Sequence, residues 1–282
     1  MSGPTLVTSG LRQSAGATPI VDIDDLALTT GATAVLGPNG AGKSTLLRML
    51  ATVTQPASGS VHVDGLDTAD PVERTAVRRR LGYVPQANGL PERMRVGAYL
   101  DYVGALKEIG PERLRRRWTS WALDRVELTP NRTDRIKTLS GGMQRRLAIG
   151  QALLGGPDLY VLDEPLTSLD AEHRSRVTRL IAELAATATV VVATHHADEL
   201  AAICHRILVL DAGRIVFDGS PTDLAARAVG HAWDAAAIDP DASCRAIGPD
   251  RYRCVGPSVP ADRRPADPSV GDGYVAVVRY GA

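Results

Sequence analysis

An α/β fold organised on parallel strands is predicted by three features of this 282-residue sequence. A short apolar run, ATAVLG at Ala32 to Gly37, stops at Gly-Pro and gives way to STLLRMLATV, whose leucines fall at helical spacing. LYVLDEP from Leu159 and TVVVATHH from Thr189 are buried-strand patterns separated by an amphipathic stretch, AEHRSRVTRLIAELAA, so the unit reads as strand, helix, strand with a parallel crossover. Between these two blocks, from Pro91 to Lys137, the period changes to that of helices.

The remaining elements follow from local pattern. GSVHVDG, Gly59 to Gly65, alternates as a half-exposed strand does, and LGYVPQ from Leu81 is a candidate for another. In the helical segment Val96, Tyr99, Leu100, Val103 and Leu106 form one apolar stripe, followed by the basic ERLRRRW. Arg115 to Arg117 reads as a solvated helix face. Asp170 marks the start of the crossover helix. RILVLDAGRIVFDGS predicts a hairpin turning at Asp211 to Gly213, and Ser220 with Asp223 suits a capping box for a short helix. Beyond it the composition shifts toward proline, aspartate and arginine. RYRCVG and GYVAVVRY read as strands of a small appended module starting near Trp233, with PSVPADRRPADPSVGDG expected as a mobile loop inside it.

Composition narrows the function classes. The 44% hydrophobic content fills a proper core, and 32 basic against 32 acidic side chains give no general pull toward nucleic acid or an anionic membrane surface. No nucleic-acid partner is expected. The amino terminus lacks the charged head and apolar run of a signal peptide, and the most apolar stretch, Ala185 to Ala193, is far short of the roughly 18–20 residues that cross a bilayer. Membrane association is therefore expected only through a partner. Cys204, Cys244 and Cys254 form neither a CxxC pair nor an even framework, which favours buried thiols in a reducing cytosol, with a Cys244–Cys254 bridge as the alternative.

Gly37 to Ser44 matches the phosphate-binding loop in full, after a strand and opening a helix. Its backbone N–H groups and the helix N-terminus suit β- and γ-phosphates, Lys43 adds a point charge, and the Ser44 hydroxyl suits magnesium. Asp163 and Glu164 end an apolar strand, one carboxylate placed to support a magnesium shell and the next to orient or deprotonate a water. His195 follows a second buried strand, within reach of a γ-phosphate. The amide oxygen of Gln86 is a further magnesium candidate. For His62, His173, His196, His205 and His231 packing or solvent exposure is the expectation.

The ordered set GPNGAGKST, VPQ, LSGGMQ, LYVLDEP, SLD and THH resembles the ATP-binding-cassette ATPase domain, from about residue 4 to residue 222. The resemblance implies a P-loop NTPase cassette of α/β class with a mixed-sheet core, an inserted helical subdomain at about 91–138 and a small C-terminal α+β extension. Its domains would be 1–222 and 223–282. It also implies a Walker A loop of Gly37, Pro38, Asn39, Gly40, Ala41, Gly42, Lys43, Ser44 and Thr45, and a Q-loop glutamine at Gln86. Asp163 and Glu164 become the Walker B pair, Asp170 the D-loop aspartate and His195 the switch histidine. In such proteins two cassettes face each other head to tail. The signature residues Ser140, Gly141 and Gly142 then cap the γ-phosphate of the ATP held by the opposite subunit.

ATP and Mg²⁺ are the implied ligands. A second ATPase subunit, as a homodimer, and an integral-membrane permease that contacts the transported substrate are the implied partners, at the cytoplasmic face of the membrane. A single cassette with RLGYVPQ, YLDYVGALK and a small tail is most similar to bacterial multidrug and antibiotic exporters. Lipid, polysaccharide or bacteriocin-immunity export stays open, as does a non-transport cassette acting as an ATP-dependent regulatory or binding module. Two departures from the family pattern stand out. No Phe, Tyr or Trp lies between Met1 and Gly37 to meet adenine, leaving Arg12 or an apolar contact, and Gly97 and Ala98 stand where relatives carry an acidic residue.

Overall fold

Strands β1 (Leu6–Ala15) and β2 (Thr18–Leu28) form a long antiparallel hairpin, and β3 (Gly31–Leu36) follows as a buried apolar strand leading into α1 (Lys43–Leu50). This is a computed structural model, and it describes residues 5–16, 18–87, 89–195 and 197–282. His196 lies outside the described residues. Next come β4 (Ser58–Val63), β5 (Leu66–Asp67), α2 (Pro71–Arg80) and β6 (Leu81–Val84). The helical segment comprises α3 (Val96–Leu106), α4 (Glu112–Arg125), two single 3-10 turns and α5 (Gly141–Ala152). The crossover is β7 (Leu159–Asp163), α6 (Ala171–Ala185) and β8 (Thr189–Ala193). After it lie α7 (Ala197–Ala201), the hairpin β9 (Arg206–Asp211) and β10 (Arg214–Gly219), and α8 (Pro221–Ala226). The chain closes with β11 (Ala232–Ala235), β12 (Ser243–Gly248), β13 (Arg251–Val255) and α9 (Val270–Tyr280).

The central sheet runs β10-β9-β3-β8-β7-β6, parallel except for β10 against β9, so it is mixed as expected. Alternation along its strands divides the interior. Val35, Val161, Val191 and Leu208 point into one core with Leu46, Leu47 and Leu50 of α1 and the antiparallel sheet β2-β1-β4-β5. Leu36, Leu162, Val190, Val192 and Val209 point to the opposite face, where α5–α8 cover the sheet. Burial on both faces explains why these strands read as unbroken apolar runs. The three segments expected to meet phosphate, after β3, β7 and β8, emerge at the carboxyl ends of neighbouring strands.

Three expectations are corrected. Residues 273–280 form the body of helix α9, not a strand, although valine and tyrosine favour strands. A capping box of Ser269 and Asp272 starts α9, and Val270, Tyr274, Val277 and Val278 share a helical stripe that joins the main core. Leu106, the last member of the α3 stripe, is 64% exposed, because α3 ends there. Finally, Cys244 and Cys254 are disulfide-bonded; they face each other directly across β12 and β13, a register that spacing alone does not reveal. Cys204 remains a buried thiol, its pKa pushed up to about 12 by burial.

The stretch 257–269 carries no helix or strand, yet it is tied to the module: Val259 N–H donates to Gly230 O and Ala266 N–H to Ala232 O. In Arg115 to Arg117, Arg116 pairs with Glu112 and Arg115 lies 3.5 Å from Asp101.

Candidate functional site

The loop from Gly37 to Gly42 is shaped by glycines at positive φ, and two of these leave no room for a side chain. A Cβ on Gly37 would lie 2.3 Å from Leu210 O, and one on Gly42 would lie 2.3 Å from Ile20 O. The loop is thus pressed between β9 and β2 immediately before α1. Lys43 bends back so that its Nζ donates to Gly37 O at 2.6 Å and Pro38 O at 3.0 Å. Burial lowers its pKa, against the opposing pull of Glu164 and Asp163. Asn39 and Gly40 are exposed, and Ser44 and Thr45 begin the helix half-buried.

At the end of β7, Asp163 is buried, and its Oδ1 has no hydrogen-bond partner among the described residues. Burial raises its pKa, opposed by the neighbouring Ser44 hydroxyl. Ser44 Oγ donates to Gln86 Oε1 at 3.4 Å. An orphaned buried carboxylate oxygen beside a hydroxyl and an amide oxygen is a set of hard donors that fits Mg²⁺, which takes only one or two carboxylates and keeps water and phosphate as its other ligands. Glu164 takes a left-handed backbone, φ 53°, fixed by its N–H donating to Ala193 O at 2.9 Å. That turn sets its carboxylate against His195, whose Nδ1 lies 2.8 Å from Glu164 Oε2. The His195 side chain is 60% exposed, so it stands at the rim with Glu164 behind it.

Arg145 was not foreseen. It is buried in α5, and its guanidinium donates to Pro85 O at 2.6 Å, Glu164 O at 2.6 Å and Asp163 O. One planar fork therefore ties the segment before Gln86 to the end of β7. Burial lowers its pKa to about 10, with Asp163 and Glu164 holding it up. Within MQRR the sequence shows only two adjacent basic residues after a turn; the helical phase from Ser140 would have placed Arg145 on the side of Leu147's neighbours in the core.

Ser140 caps α5 by accepting from Met143 N–H at 3.2 Å, and both Ser140 and Gly141 are exposed. Among the described residues no hydrogen bond joins residues 140–142 to the loop 37–45. Gly142 instead packs on the segment before Asp170: a Cβ there would lie 3.0 Å from Ser168 O. Asp170 caps α6 and is also held by a side chain read only as packing or solvent, since His173 Nδ1 lies 2.8 Å from its carboxylate. The backbone bond from His173 and then the side-chain bond lower the Asp170 pKa. Arg12 is committed to carboxylates, at 2.6 Å from Asp22 and 2.5 Å from Asp24.

Residues 25–167 match the ABC transporter family. The chain is 34% identical over 236 residues to the daunorubicin resistance ATP-binding protein DrrA3 of Streptomyces coeruleorubidus, covering 83% of this chain and 74% of that protein. It is 34% identical to the Nod factor export ATP-binding protein I of Ralstonia nicotianae, covering 81% and 71% respectively. Among solved structures, the dimeric ATP-binding cassette MJ0796, in a post-hydrolysis state bound to ADP and Pi, superposes with a TM-score of 0.70 at 26% identity, covering 76% of this chain and 98% of that one. The chain belongs to the ABC transporter family and is an ATP-hydrolysing cassette of it.

Proposed function

We propose that this chain powers export through a separate membrane permease, two copies closing on two ATP molecules in head-to-tail order. The observation that carries the dimer is the exposed cap of α5: Ser140 and Gly141 present a helix N-terminus that bonds to nothing in their own phosphate loop. A helix end of this kind stabilises an anion without a charged side chain, and a second copy supplies the anion. Export is supported by the names of the relatives, one a drug-resistance protein and one a Nod factor exporter. In this reading the chain is held at the cytoplasmic face by the permease; no described helix is itself long and apolar enough to cross a membrane.

In this reading residues 37–45 enclose the phosphates, and Lys43 leaves its two loop carbonyls for them. Ser44, Gln86 and Asp163 would hold Mg²⁺, which supplies charge neutralisation on the phosphate oxygens. Glu164 takes the proton of the attacking water, and His195, oriented by the same carboxylate, contacts the γ-phosphate. Asp170 sits at the cap of α6, where the segment packed on Gly142 meets the partner cassette.

The test is Glu164→Gln, which keeps the shape of the site and removes its base. It slows hydrolysis by about 10²- to 10⁴-fold and traps an ATP-dependent dimer in size-exclusion chromatography. A monomer at saturating ATP in this variant overturns the dimer. Co-purification with the product of an adjacent reading frame encoding a multi-span hydrophobic protein tests the permease.

A further inference from the structure

Two residues after His195 in sequence begins α7, a helix of only five residues. A helix that short has no stability of its own, so its position depends on what it packs against. Leu200 is fully buried, and Ala197 and Ala201 pack in the same apolar cluster as Val270, Tyr274 and Val278 of α9. The polar contact is specific as well. Asp198 Oδ1 accepts from the Gly271 N–H at 2.8 Å, and its Oδ2 lies 3.6 Å from Arg245.

The C-terminal module is built around the turn that makes this contact. Asp272, buried, accepts from Arg253 at 2.7 Å and from Ser269 N–H at 2.9 Å on Oδ2, and from Arg245 at 3.2 Å on Oδ1. Arg245 and Arg253 are directly opposed across β12 and β13, next to the Cys244–Cys254 bridge. The bridge pins the pair, the pair grips Asp272, and Asp272 sets the first turn of α9 where Asp198 meets it. Gly271 is required for that approach, because a Cβ there would stand 2.9 Å from Asp198 Oδ2.

We infer that the C-terminal module positions His195, and that Asp198 is the positioning residue through which it acts. This rests on the reading of His195 as the γ-phosphate contact. The effect falls on the rate of hydrolysis and spares nucleotide affinity, since among the described residues no hydrogen bond joins α9 to the loop 37–45.

Gly271→Ala in the full chain is the discriminating variant. The atom it displaces is the end of a side chain and alanine favours helix, so α9 stays folded while Asp198 is pushed away. Gly271→Ala, Asp198→Ala and the double variant are expected to lower kcat equally, by about fivefold or more, with the ATP Kd unchanged. Amide hydrogen exchange should quicken across residues 197–203 and stay unchanged in α1. Faster exchange with unaltered kcat overturns the inference, as do losses that add in the double variant, an equal loss of ATP affinity, or unchanged exchange. Absence of ATPase activity in the unaltered chain overturns the functional reading itself, a separate failure that the exchange measurement distinguishes.

Discussion

Arg145 and Glu164 meet through the backbone: the guanidinium of Arg145 donates to the carbonyl oxygen of Glu164 at 2.6 Å, holding from below the residue whose side chain faces His195. Removing the fork leaves the buried carbonyls of Asp163 and Glu164 without that donor, each at a cost of about 1–3 kcal/mol. Arg145→Met is expected to lower stability in urea unfolding by about 2–4 kcal/mol. Arg145→Lys restores the charge but not the fork, and should recover less than half of that loss. A variant as stable as the parent would show that the site is held by other means.

Lys107 offers a pH test. It ends α3 and donates to Leu154 O at 3.0 Å, and burial pulls its pKa down to about 8. An unfolded lysine titrates near ~10.4, so between the two values the unfolded chain holds the extra proton and stability rises with pH. Below about 8 both states are protonated and this contribution to the slope vanishes. Lys107→Met should flatten the rise in urea midpoint between those values. An unchanged slope would place the titration elsewhere.

Much of the site was legible because its chemistry is local. Phosphate loops need glycines in fixed order, and buried parallel strands need unbroken apolar runs, so Gly37 to Thr45, Asp163, Glu164 and His195 could be placed on their elements before any contact was known. What was not legible depends on distant residues meeting. GYVAVVRY has strand-forming side chains, yet Gly273 lets α9 lie against α8, and that packing outweighs propensity. The partner of Asp170 is three residues away, but His173 looks the same in sequence whether it bonds or not. Arg145 reaches back 60 positions to Pro85, and no spacing rule covers that distance.

Gly273 itself provides a contrast with Gly271. A Cβ at residue 273 would stand 1.8 Å from Leu224 O, and a backbone atom cannot swing aside. Gly273→Ala should force α9 off α8 and lower stability by about 1–3 kcal/mol, with loss of protection in residues 270–280. Stability equal to that of Gly271→Ala would mean that α9 is not docked as described.

The oxidation state of the module can be read by mass. Under non-reducing conditions in denaturant, alkylation should reach Cys204 alone, and a dithiol should free Cys244 and Cys254 for two further adducts. In the folded chain Cys204 should react slowly at neutral pH, because its pKa is pushed up to about 12 and the thiolate is the reactive form. Three adducts without reduction would remove the bridge from the argument about Arg245 and Arg253.

Lys43 and Ser140 allow the head-to-tail arrangement to be tested by complementation. In a homodimer Lys43→Ala damages both sites through their phosphate loops, and Ser140→Arg damages both by setting a bulky cation at the exposed cap of α5. Each variant alone is expected to be inactive. In a mixed dimer the damaged loop of one subunit faces the damaged cap of the other, so both defects fall in one site and the second is assembled from intact halves. Mixing the two inactive proteins should restore ATPase activity, because a site that draws its parts from two chains is the only arrangement in which two dead proteins make a live one. A self-contained monomer gives none, and a tethered mixed dimer that binds two ATP yet hydrolyses neither would count against sites that fire independently.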